Sequence, residues 1–173
     1  MSTGQTLLTI GAFVLLTTIL QGTYNSLMNV GADISSGQDG ILQTTIAASY
    51  TEIAYSLAFD ERTADSDTAL ISLSGLSYPP GPETGEDSLV NFNDFDDFNG
   101  FVDTKVAGGS GRRYTTRFTV SYVDSNNIGT TVAYRTNLKR LDMTTWRTFP
   151  PPMSEEILDT LTTSIVMGYF HFN

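Results

Sequence analysis

The segment Asn91–Phe101, NFNDFDDFNGF, concentrates the residues best able to do chemistry. Asp94, Asp96 and Asp97 fall within four positions, among asparagines. Oxygen donors at that density are what a hard cation such as calcium requires. The spacing is not that of an EF-hand. Counted from Asp94, the fifth position is Phe98 and the sixth is Asn99, where Asp or Asn and then Gly are needed. Phe92, Phe95, Phe98 and Phe101 recur every third residue, a period that keeps one face aromatic in a 3₁₀ turn or an extended left-handed conformation. The expected arrangement is a metal-free surface loop pinned by its four phenylalanines. Its acids are then solvated or paired with Arg112, Arg113 or Arg117, and an irregular calcium site is the alternative.

Other chemistries are removed by what the 173 residues lack. There is no Cys, hence no disulfide, thiolate metal site or cysteine nucleophile. His171 is the single histidine, which rules out a multi-His zinc site and leaves it as a packed or surface residue on an aromatic strand. Glu155 and Glu156 follow Ser154 and read as a solvated helix start. No catalytic or metal-ligating set and no cofactor motif emerges, so neither an enzyme nor a cofactor is expected. The 9 basic and 19 acidic residues give a net charge of −10, which a nucleic acid would repel.

The charges are unevenly placed. None occurs before Asp33, and the first basic residue is Arg62. Eleven of the acids lie from Asp60 to Asp103, and eight of the bases from Lys105 to Arg147. The neutral head holds Leu7, Leu8, Ile10, Phe13, Val14, Leu15, Leu16, Ile19 and Leu20, which cover more than one helical face. Thr9, Thr17 and Thr18 interrupt it mildly, because a threonine hydroxyl can bond back to a carbonyl of its own helix. A signal peptide should open with basic residues and a membrane anchor should carry them on a flank, and Met1–Gln5 supplies neither. A core helix is apolar all round, but a protein of this size has little mass to bury one. The remaining reading is a processed N-terminus that waits in a membrane and then enters a protein filament.

Gly22, Gly31, Gly37 and Gly40 follow, each costing about 1 kcal/mol in a helix relative to Ala. They predict a stretched or melted section. From Ile41, the spacing of Leu42, Ile46, Tyr50, Ile53 and Leu57 predicts an amphipathic helix to about Phe59 that packs on a sheet. Tyr114–Val123 alternates as a half-buried strand, and Asp124–Gly129 reads as a turn. Thr130–Tyr134 and Asn137–Thr145 continue as strand, Pro150–Pro152 ends it, and Thr160–Phe172 is a last long strand. Gly75–Ser88, with three prolines, reads as loop. The fold class is therefore α+β: a hydrophobic stalk over 1–40, then a head over 41–173. The head comprises a helix over 41–59, loops over 60–113 and an antiparallel sheet of about four strands over 114–173.

An uncharged stalk, a glycine-rich middle, an amphipathic helix and a C-terminal antiparallel sheet together resemble a mature type IV pilin or pseudopilin. Met1-Ser2-Thr3-Gly4-Gln5-Thr6-Leu7-Leu8 is similar to the processed pilin start, and Asp94–Phe101 resembles the acidic, aromatic loop of some bacterial pilin-like proteins. The family usually has glutamate where this chain has Gln5, often has a proline where the stalk melts, and often carries two C-terminal cysteines. The resemblance implies a methylated N-terminus at Met1 and an assembly contact at Gln5. It also implies a homopolymer with the stalk at its core, inner-membrane residence before assembly, and an extracellular pilus location with roles such as adhesion. Prepilin peptidase and the pilus assembly machinery are the implied partners. A minor membrane-anchored pseudopilin that primes assembly of a pilus or a type II secretion machine is the alternative.

Overall fold

The computed structural model describes residues 2–64, 72–151 and 160–169. Met1, Glu155, Glu156, His171 and the end of the last predicted strand lie outside the described residues. The chain divides into two units, Met1–Asp39 and Gly40–Asn173.

Helix α1 is Thr3–Ser56. Its start carries half of a capping box: the Ser2 N–H donates to Gln5 Oε1 at 3.3 Å, and the Gln5 N–H donates to Ser2 O at 2.9 Å. The melted section expected at Gly22, Gly31, Gly37 and Gly40 is not found. All four lie within the helix, and none adopts a positive φ. A glycine weakens a helix without blocking it. Once flanking turns exist, each further residue adds a backbone bond, and that gain carries the helix through a penalty of about 1 kcal/mol.

In the second unit, strands β1 (Val102–Val106), β2 (Arg113–Asp124), β3 (Asn127–Thr131), β4 (Leu138–Phe149) and β5 (Leu161–Gly168) form one antiparallel sheet. Its order is β1-β2-β4-β5, with β3 paired to the end of β2. Five strands thus stand where about four were expected, since β1 falls in the stretch read as loop. The turn expected over Asp124–Gly129 shrinks to Ser125 and Asn126, closed by the Asn126 N–H on Asp124 Oδ1 at 2.8 Å. The predicted alternation of β2 is observed, with Tyr114, Thr116, Phe118, Val120 and Tyr122 facing inward. On β4 the inward set is Lys139, Leu141, Met143, Thr145 and Arg147. Phe118 pairs with Met143, and Val120 with Leu141.

The Gly40–Ser56 part of α1 covers that inner face. Its buried residues are Gln43, Ala47, Tyr50 and Ala54, while Ile41 is exposed. The stripe is therefore rotated slightly from the predicted one, and small alanines let the helix approach the sheet. The Tyr50 ring meets Phe118 edge-on at 4.8 Å, and its hydroxyl donates to Asp103 Oδ2 at 2.6 Å. Tyr122 ties the sheet to the following loop by donating to Ser77 O at 2.6 Å. Tyr122→Phe is expected to cost about 1 kcal/mol, read as a lower urea midpoint with an unchanged slope.

The four phenylalanines of 91–101 close the core from its side. Phe92, Phe95 and Phe98 are buried, and Asp96–Phe98 forms a single 3₁₀ turn, one of the two conformations that the period allows. Phe98 lies 5.2 Å from Phe118, and Phe92 meets Phe98 and Phe101 edge-on at 5.2 and 5.0 Å. Gly100 sits at φ +83°, where a side chain would be strained. It swings the chain from the 3₁₀ turn into β1. Asn99 serves the β2 edge at that point by accepting the Val120 N–H at 2.9 Å.

Candidate functional site

Two features ask for a partner, and each lies within one unit. The first is the apolar part of α1 within Met1–Asp39. Leu7, Leu8, Ile10, Phe13, Val14, Leu15, Leu16, Ile19 and Leu20 are 53–76% exposed. Tyr24, Leu27, Met28 and Val30 continue the exposed surface. Exposure of a large apolar side chain costs about 1.5–3 kcal/mol, so water is a poor solvent for this surface. The helix is long and apolar enough to cross a membrane, with a mean hydropathy of 1.6 over its best window. Its threonines behave as expected. Thr9, Thr17, Thr18 and Thr23 donate to the carbonyls of Gln5, Phe13, Val14 and Ile19 at 2.8–2.9 Å. Gln5, expected as an assembly contact, spends its side-chain oxygen on the helix start. The S-x-x-Q spacing of Ser2 and Gln5 was the available signal for that cap.

The second feature is the acidic segment, and its acids are not at the surface. Asp94 and Asp96 are completely buried and Asp97 is 1% exposed. Nor is an arginine of 112–117 their cation. Lys139, also fully buried, projects from β4 and donates to Asp96 Oδ1 at 2.6 Å, Asp60 Oδ2 at 2.7 Å and Phe59 O at 2.9 Å. The phenylalanines explain the burial: packing their rings on both sides of the aspartates carries the carboxylates inward as well. Burial by itself would raise Asp60, but the Lys139 ammonium and the Ser77 N–H, 2.9 Å away, outweigh it and hold the carboxyl below its usual range.

One lysine does not serve the remaining acids. Asp94 Oδ1 accepts the Asp96 and Asp97 N–H groups at 2.8 and 3.2 Å, and Asp97 Oδ2 accepts those of Asn93 and Asp94 at 2.8 and 3.1 Å. Each aspartate thus caps the turn with one oxygen. The other oxygens, Asp94 Oδ2 and Asp97 Oδ1, are buried without a hydrogen bond, as are Asp96 Oδ2 and Asn93 Oδ1. Burial, followed by the neighbouring Asp96, pushes the Asp94 carboxyl up to about 9; burial pushes Asp97 up to about 6. Glu83 brings a third carboxylate, with one oxygen from each of Glu83, Asp94 and Asp97 lying within 4.8 Å of the other two. Among the described residues, Glu61, Glu83 and Glu86 form a second such group that shares Glu83.

Asp60, Glu83, Glu86 and Lys139 were not singled out from the sequence. Only Lys139 left a signal: period two on β4 places it on the face of Leu141 and Met143.

These features define an α+β protein with a long, apolar N-terminal helix and an antiparallel sheet of five strands. Comparison with protein-family models, with curated proteins and with solved structures finds no match.

Proposed function

We propose that this chain is a structural subunit of a pilus-like helical filament outside the cell, polymerising through the apolar part of α1. One observation carries the reading: nine large apolar side chains from Leu7 to Leu20 are each more than half exposed within their unit. Such a surface needs either lipid or protein around it. A bilayer holds the helix before assembly, and copies of the same helix replace the lipid afterwards. A head-to-tail contact that does not close on itself generates an open helical polymer. The second unit supports the reading, because it holds its own core of Tyr50, Phe98, Phe118, Leu141 and Met143 and can ride on the outside of such a polymer.

The test compares the full chain with residues 40–173 alone, after detergent removal, by sedimentation and negative-stain electron microscopy. The full chain is expected to pellet as filaments, and the shorter chain to remain a folded, soluble monomer. Filaments of the same diameter and repeat from residues 40–173 would refute the proposal.

A further inference from the structure

We propose that Glu83, Asp94 and Asp97 form a calcium site that fastens the acidic aromatic segment to the loop before it. Carboxylates in a group are not by themselves a site. What points to a ligand is the orphaned oxygen on each of two aspartates whose other oxygen is already committed to the turn. Asp94 is fully buried and Asp97 nearly so, which denies both orphans bulk water. The 3₁₀ turn fixes where the paired oxygens point, so the unpaired ones are held in place before any ion arrives.

Glu83 completes the arrangement from outside. It is exposed, and it belongs to a different stretch of chain from the two aspartates. Glu86 is the positioning residue. Its Oε2 accepts the Glu83 N–H at 3.0 Å, and its Oε1 accepts the Asn93 side-chain amide at 2.8 Å. The same carboxylate therefore sets the backbone at Glu83 and turns the Asn93 amide. Asn93 Oδ1, left without a hydrogen bond, offers a further oxygen from the same turn. Glu83 also lines an open cleft with Glu61, Arg62, Leu76, Tyr78 and Arg135, from which water can fill remaining coordination positions.

The donor set selects the ion. All its atoms are oxygens, which suits calcium, magnesium or manganese and not zinc or copper. Three carboxylates of irregular placement suit calcium, which accepts six to eight oxygens in flexible geometry, better than magnesium, which demands a near-ideal octahedron and keeps most of its waters. Sequence spacing alone favours a metal-free loop, because EF-hand spacing is absent. The site instead takes ligands from two loop stretches, which no single spacing pattern describes.

The experiment uses the full chain in detergent micelles, stripped with EGTA and passed over a chelating resin. Calorimetric titration with calcium chloride at pH 7.5 is expected to give saturable binding with one ion per chain. Calcium at about 100 times its dissociation constant should raise the thermal midpoint by about 5–10 °C. Glu83 is exposed, so Glu83→Gln is expected to keep the fold, and it should weaken calcium binding at least about tenfold. Asp94→Asn keeps the shape of a neutral carboxyl. It should unfold no more easily than the stripped parent while losing the calcium response. Absence of saturable binding up to about 5 mM calcium, beyond the weakest extracellular modules, would overturn the proposal. So would undiminished binding in Glu83→Gln, and magnesium acting equally at equal concentration would overturn the assignment to calcium.

Discussion

Lys139→Met is expected to destabilise the second unit by about 3–5 kcal/mol, the range for removing one partner of a buried ion group. The methionine fills much of the same space, so the loss is electrostatic. Asp60 and Asp96 both lose a hydrogen-bonded ammonium at 2.7 and 2.6 Å in a place without solvent. The triple variant Lys139→Met, Asp60→Asn, Asp96→Asn should recover most of that loss, because a neutral set of similar volume removes the charges that need a partner. Urea midpoints of the three proteins measure this. A single variant within about 0.5 kcal/mol of the parent would show that the lysine is not the counter-ion of the core. Acid titration gives a second readout. Asp60 is held below its unfolded value, so its contribution is present above about pH 4 and is lost as the pH falls through the folded value. Without the lysine, burial raises the same carboxyl above its unfolded value. The Asp60 contribution should therefore change sign: in the variant it grows on acidification, where in the parent it is lost.

Leu16→Asp is expected to abolish polymerisation while leaving the second unit intact. In the proposed filament, Leu16 faces neighbouring helices. No side chain in the first 32 residues of any copy offers a carboxylate there a counter-charge. An unpaired charge or its neutralisation in an apolar core costs several kcal/mol, and about 4 kcal/mol per subunit corresponds to a critical concentration raised about a thousandfold. Sedimentation across a concentration series measures it, and far-UV and near-UV circular dichroism check the fold. An unchanged critical concentration would place the contact elsewhere on the molecule.

The sequence made some of this fold legible and concealed the rest for physical reasons. The alternation of Tyr114–Tyr122 is strict because one side of β2 faces the helix and the other faces water, and period two reports that difference directly. Strand β1 has no such contrast. Val102 and Val106 are exposed, Lys105 and Thr104 are polar, and the strand exists because β2 offers it an edge. The glycines mislead for the opposite reason: a local propensity of about 1 kcal/mol each takes no account of the helix on both sides. The acidic segment misleads most. The period of its phenylalanines predicts anchors, but anchoring Phe95 and Phe98 forces Asp94, Asp96 and Asp97 to follow them into the protein. The cation that pairs with Asp96 lies more than forty residues away in β4, and Glu83 approaches from a proline-rich loop with no regular pattern. Long-range pairings of this kind leave no local trace. The exposed apolar helix was readable at once, because composition alone carries it.

The threonines of α1 have one more consequence. Each of Thr9, Thr17, Thr18 and Thr23 has already given its hydroxyl proton to a carbonyl one turn back. Seen from outside, those positions are little more than methyl groups. A helix that met its surroundings with free hydroxyls would have to make new bonds in lipid, break them on leaving, and find different ones among its neighbours. This helix can change solvent without exchanging any of these four hydrogen bonds. Those four threonines then add little to the barrier to moving it between two apolar media.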